Sequence, residues 1–264
     1  MGGIMFYNFY NLSKYYDIAF SRDISREVEF FIHCFKNYTS FEVKRILEPA
    51  CGSGILLVAF AKQGYNITGY DSSPKMVEYA KERIEKSGYA DKADVVLGDM
   101  RTMTFNPKFD VAINLINSLG YCLSNNDLIS HFGSIAESLR KGGLYIVEIS
   151  CACKDITNEK KPDEIWFSER EGIKIEAAWC PESYDLTNKI RHVNFMMKVE
   201  DGGKFFVFEE KHDLRLWFFE DFERMVQEAG FKIKAIYDQN YDLILNNDHI
   251  TGELGALYYV LVKE

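Results

Sequence analysis

Between Arg45 and Glu148 short apolar runs recur, each followed by a stretch with helical spacing. Ile46-Leu47-Glu48, Ile67-Thr68-Gly69-Tyr70, Val95-Val96-Leu97, Val111-Ala112-Ile113 and Leu144-Tyr145-Ile146-Val147 read as buried strands. Ile55 to Phe60 opens a helix, and Ser72-Ser73-Pro74 is an N-terminal signature ahead of Lys75 to Ala80. Strands alternating with helices predict a parallel sheet covered on both faces, with its ligand crevice at the carboxyl ends of the strands where their order reverses. Glu48, Asp71, Asp99 and Asn114 all fall at such ends.

After Ser150 the pattern changes. A charged stretch from Lys154 to Glu164 gives way to aromatic runs without intervening helices, and Ile173 to Trp179, Lys189 to Val199 and Lys204 to Trp217 read as antiparallel strands. Asp201-Gly202-Gly203 supplies the turn between the last two. Helical spacing returns at Phe222, Met225, Val226 and Ala229 and stops at Gly230, after which Phe231 to Tyr237 and Leu257 to Val262 are expected to finish the main sheet. This divides the chain into residues 1–150, a core preceded by a tyrosine-rich segment (Tyr7 to Asp17), residues 151–218, an inserted antiparallel sheet, and residues 219–264, which complete the core.

The turn after the first strand carries the chemistry. In Glu48-Pro49-Ala50-Cys51-Gly52-Ser53-Gly54 the glycines permit a sharp reversal and let a ligand lie against the backbone, and the free amides of the following helix point into the turn. Glu48 would repel a pyrophosphate but attract an ammonium, and Asp71 is placed to accept hydrogen bonds from ribose hydroxyls. The pair favours a cationic nucleoside over a dinucleotide. Singly, each feature has a purely structural reading: tight turns need glycine for steric reasons, Asp71 can cap the next helix, and Asp99 can be a loop acid.

These residues, in this order, resemble the class I S-adenosylmethionine-dependent methyltransferases. The resemblance implies an α/β fold, a Rossmann-like doubly wound, seven-stranded, mostly parallel sheet, carrying the inserted antiparallel sheet and an N-terminal helical lid. It implies that Glu48, Ala50, Gly52 and Gly54 surround the methionine end of S-adenosyl-L-methionine, with Ala50 standing where the family usually has its first glycine. Asp71 and Ser72 would take the ribose, Asp99 and Met100 the adenine, and Met76 and Asn114 would complete the cofactor site. Tyr15 and Tyr16 are expected in the lid, Tyr16 against the cofactor.

The second half is most similar to small-molecule methyltransferases of the glycine and amino-sugar N-methyltransferase kind. Asn114 is followed by Leu115-Ile116-Asn117, not by the Pro-Pro-aromatic run of enzymes acting on planar nitrogens, and the Pro-Cys nucleophile of the five-position pyrimidine enzymes is absent. By this resemblance Tyr121 is the expected orienter or weak base, assisted by His212, and Asn117, Tyr121, Arg215 and Trp217 are expected to line the substrate side. The acceptor is then a small molecule methylated at an amine nitrogen, with O-methylation or non-catalytic cofactor binding as rival readings.

Composition narrows the partners. Across 264 residues, 47% hydrophobic, the chain can bury a large core, and a formal net charge of -9 argues against a general phosphate-backbone binder, so no nucleic-acid partner is expected. No apolar run reaches membrane-spanning length and Met1 to Met5 lacks the basic and apolar regions of a secretory signal, so no membrane partner and a cytoplasmic location are expected. The six cysteines form no C-x-x-C pair and the five histidines do not cluster, so no metal is expected.

Overall fold

The computed structural model describes residues 12–152, 164–244 and 256–264. The tyrosines before Leu12 and most of the charged stretch after Ser150 lie outside the described residues. In chain order the elements are α1 (Ser13–Ala19), α2 (Ser25–Tyr38), β1 (Arg45–Pro49), α3 (Ile55–Lys62), β2 (Asn66–Asp71), α4 (Pro74–Ser87), β3 (Ala93–Leu97), β4 (Phe109–Asn114), α5 (Asn125–Ser138) and β5 (Leu139–Ala152). There follow β6 (Glu164–Arg170), β7 (Ile173–Asp185), β8 (Ile190–Asp201), β9 (Lys204–Arg215), β10 (Trp217–Phe218), α6 (Phe219–Glu228), β11 (Phe231–Tyr237) and β12 (Ala256–Lys263).

The main sheet runs β3-β2-β1-β4-β5-β12-β11. Pairings from β3 to β5 are parallel, and β12 is antiparallel to both its neighbours. The strand order reverses between β1 and β4, which opens a crevice at their carboxyl ends. Alternation along the strands sends side chains to two cores. Ile46, Val111, Ile113 and Ile146 pack under α2 and α3, whereas Leu47, Ala112, Tyr145 and Val147 pack under α5 and α6.

Local chemistry sets the helix ends. Pro74 occupies the first turn of α4, where its missing N–H costs nothing, and Ser73 Oγ accepts the Met76 amide at 3.3 Å. Ser124 and Asp127 form a reciprocal capping box on α5, and Gly230, at φ 81°, follows α6.

The second sheet is antiparallel, β6-β7-β8-β9. Gly202 and Gly203, with φ of 57° and 75°, make the two-residue turn that pairs Asp201 with Lys204. Two features depart from the sequence reading. The sheet has a further edge strand, β6, whose alternation is disguised because Ile165 and Phe167 sit on its exposed side (54% and 74% exposed). The run read as ending at Trp217 breaks at Leu216, and Trp217-Phe218 crosses to pair with the end of β5, tying the inserted sheet back to the main one.

Helix α1 lies between the two sheets. Ile18 and Ala19 pack into the inner face of the inserted sheet with Ile175, Phe195 and Met197. Buried Asp17 accepts from Tyr79 on α4 (3.0 Å), Arg170 on β6 (2.5 Å) and Arg83, and its carboxyl is held low because Arg83, Ser53 and Arg170 together outweigh its desolvation. The helix is thereby fixed across the mouth of the crevice.

Candidate functional site

The turn after β1 is built from left-handed residues: Ala50 (φ 52°), Gly52 (φ 52°) and Gly54 (φ 73°). At Gly54 a Cβ would come within 2.9 Å of Ala80 Cβ, so glycine is required for α3 to pack on α4. Asp71, at the end of β2, braces the turn: Oδ2 accepts the Gly52 amide at 2.9 Å and Oδ1 the Ser73 amide at 2.8 Å. Burial raises its carboxyl, partly countered by those amides.

Two adjoining hollows lie over this turn. The first, about 250 Å³, is walled by Glu48, Arg22, Asn117 and Glu148 on the main-sheet side and by Trp179, Arg191, Val193 and Leu214 of the inserted sheet. The second, about 290 Å³, is walled by Asp71, Ser72, Gly98, Asp99, Met100 and Arg101. Tyr16, Ala50, Gly52, Ser118 and Tyr121 border both, so the two tyrosines stand where the hollows meet.

Glu48 is 6% exposed and its Oε2 has no hydrogen-bond partner. Its carboxyl is pushed well up, first by burial and then by the nearby Glu27, with Arg22 opposing. Arg22 is itself committed to Glu27 through contacts of 3.1 and 2.9 Å. A buried acceptor lacking a donor is the group that an incoming ammonium would satisfy. In the second hollow Asp99 is engaged by Arg101 through Nε (2.9 Å) and the backbone amide (2.8 Å), which lowers its carboxyl, and Met100 offers an apolar surface. An acid over a glycine turn, a second acid at the neighbouring strand end and a third beside a methionine fit the amino acid, ribose and base of a cationic nucleoside.

The loop after β4 borders the first hollow in a strained conformation. Ile116 and Asn117 have φ of 53° and 50°, unfavourable for a β-branched residue. Glu148 Oε2 holds the Ile116 amide at 2.8 Å, and Asn117 Oδ1 accepts the Ser150 amide at 3.3 Å. The loop continues into a short 3₁₀ turn, Ser118–Tyr121, which brings the Tyr121 hydroxyl to 3.1 Å from His212 Nδ1 on β9. His212 is 5% exposed and burial lowers its pKa to about 4, so the ring is neutral at neutral pH.

Several expected site residues face neither hollow. Met76 is fully buried on the inner face of α4, and Gly54 forms the start of α3. Asn114 is buried and clips β4 to β1 through Pro49 O at 3.0 Å. Arg215 binds Leu123 O (3.3 Å) and Asn125, which supports the loop beyond Tyr121, and Trp217 is core against Phe222. His212 reaches the site through Tyr121, and Tyr15 turns away to Asp201 (3.0 Å). Conversely, Arg22, Trp179 and Arg191 border the first hollow without having been singled out in the sequence. They lie on elements distant in the chain, and no spacing links them to the glycine turn.

A doubly wound sheet with this groove at its switch point defines an enzyme that uses a nucleoside-type cofactor. Residues 46–143 match the model of the methyltransferase domain family. The chain is 27% identical over 197 residues to the methyltransferase-like protein YqeM of Bacillus subtilis (strain 168), covering 74% of this chain and 76% of that one. It is 31% identical over 107 residues, 40% of this chain and 43% of the relative, to dTDP-3-amino-3,4,6-trideoxy-alpha-D-glucopyranose N,N-dimethyltransferase of Streptomyces venezuelae. The solved structure of Streptomyces venezuelae DesVI has a TM-score of 0.77 at 20% identity, covering 98% of this chain and 100% of that one. The chain is an S-adenosylmethionine-dependent methyltransferase. Among its described residues no helix is long and apolar enough to cross a membrane.

Proposed function

We propose that this enzyme methylates an amine nitrogen of a small molecule. In this reading Glu48, Gly52, Asp71 and Asp99 hold S-adenosylmethionine, and Tyr121, supported by His212, orients the acceptor. The observation that carries it is the position of Tyr121, bordering both hollows with its hydroxyl 3.1 Å from a buried, neutral imidazole. When bound, S-adenosylmethionine supplies a methyl group on a positively charged sulfur that departs as a neutral thioether.

The choice of nitrogen follows from what the residues can do with a proton. A hydroxyl acceptor must lose its proton during or before attack, and an imidazole with a pKa lowered to about 4 is a poor base for that task. A neutral amine attacks with its own lone pair, and the resulting ammonium loses a proton to water. Tyr121 then has only to accept an N–H and aim the lone pair, and such alignment can supply on the order of 7 kcal/mol or more. Burial raises the carboxyls of Glu48 and Glu148, so a cation or an amine N–H entering the first hollow would supply the partner that favours their ionised forms. The amino-sugar N,N-dimethyltransferase among the matched relatives supports the same choice.

The test is transfer of labelled methyl from S-adenosylmethionine to paired compounds of one skeleton, each offered as amine, alcohol and carboxylic acid. Label is expected in the amines alone. Label on oxygen alone would replace this reading with O-methylation.

A further inference from the structure

The first hollow contains a cation that the cofactor reading leaves unused. Among the described residues Arg191 makes no side-chain hydrogen bond or ion pair, and its Nε is buried without a partner. The other arginines are committed elsewhere. Arg83 and Arg170 hold Asp17, Arg101 holds Asp99, and Arg140 faces Asp110, while Arg22 grips Glu27 at the opposite side of the same hollow. A buried guanidinium N–H without an acceptor is costly, and its planar fork matches a carboxylate or phosphate in two-point contact.

Its place in the fold indicates which ligand carries that anion. Arg191 lies on β8, paired in register with Leu214 on β9, and both border the hollow together with Val193 and Trp179. Leu214 packs over Gly120 in the loop that presents Tyr121: a Cβ at Gly120 would meet Leu214 Cδ2 at 3.3 Å. Arg191 therefore belongs to the inserted-sheet side with Tyr121, whereas Glu48, the glycine turn and Arg22 form the side read as holding the methionine end of the cofactor. Of the acids that also border this hollow, Asp17 is held by Arg83 and Arg170 and Glu48 lies on the cofactor side, which leaves Glu148 and Glu164 toward an amine; with Arg22 held by Glu27, Arg191 is the cation available to an anion.

We propose that Arg191 binds an anionic group, a carboxylate or a phosphate, on the methyl acceptor, so that the substrate is an amine that also bears an anion. The proposal rests on reading the first hollow as the acceptor chamber, and the charges are arranged so that such an amine would enter in one orientation, nitrogen toward Tyr121 and anion toward β8.

The test is calorimetric titration of the enzyme, saturated with S-adenosylhomocysteine, with acetate and with pyrophosphate. One of the two is expected to bind. Arg191→Gln should weaken it by about ten-fold or more, Arg191→Lys should recover part of the loss, and S-adenosylhomocysteine affinity should stay within about two-fold in all three proteins. Binding of neither anion to the wild type, or equal binding to a folded Gln variant, overturns the proposal. So does a parallel loss of S-adenosylhomocysteine affinity, which would assign Arg191 to the cofactor carboxylate. Should the Gln variant fail to fold, an unweakened response of the Lys variant, whose ammonium cannot reproduce a two-point contact, overturns the proposal and a weakened one upholds it. These equilibrium readouts do not depend on which atom accepts the methyl group, so a failure of the nitrogen reading would show in turnover while leaving anion binding intact.

Discussion

The Asp71 carboxylate accepts the Gly52 amide at 2.9 Å, so the acid that ends β2 fixes the turn that ends β1. Its other oxygen accepts the Ser73 amide and orients the start of α4. Removing the side chain therefore does two things. Asp71→Ala should lower stability by about 2 kcal/mol, because two buried amides lose a charged acceptor. It should also weaken S-adenosylhomocysteine binding by about ten-fold or more through loss of the turn and the ribose contact. Urea unfolding and calorimetry read the two separately, and intact affinity in a destabilised variant would remove the ribose from Asp71.

The Tyr121 hydroxyl lies 3.1 Å from His212 Nδ1 and the residue borders both hollows, so its loss should act on turnover. Tyr121→Phe is expected to cut kcat by about ten-fold or more while S-adenosylhomocysteine affinity changes by less than about two-fold. His212→Gln should show the same split in milder form, since Gln can still meet the hydroxyl. A Phe variant with normal kcat would place the orienting contact elsewhere.

Ala50 occupies a left-handed conformation at φ 52°, a geometry that costs a residue with a Cβ about 1 kcal/mol or more. Ala50→Gly relieves that strain but gives the unfolded chain more freedom, for a net gain of about 0.5 kcal/mol. A raised urea midpoint is expected, with cofactor affinity unchanged or improved. A lowered midpoint would show that the alanine methyl contributes packing that outweighs its strain.

The glycine-turn side of the candidate site was legible in the sequence because it is local. Glu48, Gly52, Asp71 and Asp99 each sit at the end of a strand or in the turn that follows, and parallel topology gathers such ends on one edge. The inserted sheet was legible as strands, but β6 was not, since its exposed Ile165 and Phe167 invert the expected polarity. Arg215 and Trp217 were expected near substrate, yet the chain leaves β9 at Leu216, which turns Trp217 into the core and Arg215 onto Leu123 and Asn125. Arg191 and Trp179 escaped notice because strand periodicity reports which residues share a face, and only tertiary packing decides which cavity that face covers.

His131, bonded to the backbone of a residue that borders the second hollow, makes stability pH-dependent. It is fully buried, with Nδ1 donating to Met100 O at 2.8 Å and Nε2 meeting the Tyr145 hydroxyl at 2.6 Å. Burial lowers its pKa to about 4, against about 6.5 in the unfolded chain. Between those values the unfolded state binds the extra proton and the folded state does not, so stability is fully present above about pH 6.5 and declines as pH falls toward 4. The loss from this residue approaches about 3 kcal/mol, and His212, lowered in the same direction, adds to it. His131→Gln should be less stable at pH 7 but should lose less between pH 7 and pH 5 than the wild type, as read by urea midpoints at both values. Met100 borders the hollow, but the folded ring stays neutral until about pH 4, so S-adenosylhomocysteine affinity of the folded wild type is expected to hold over the same interval. A variant with the full wild-type pH dependence would show that the proton is taken up elsewhere.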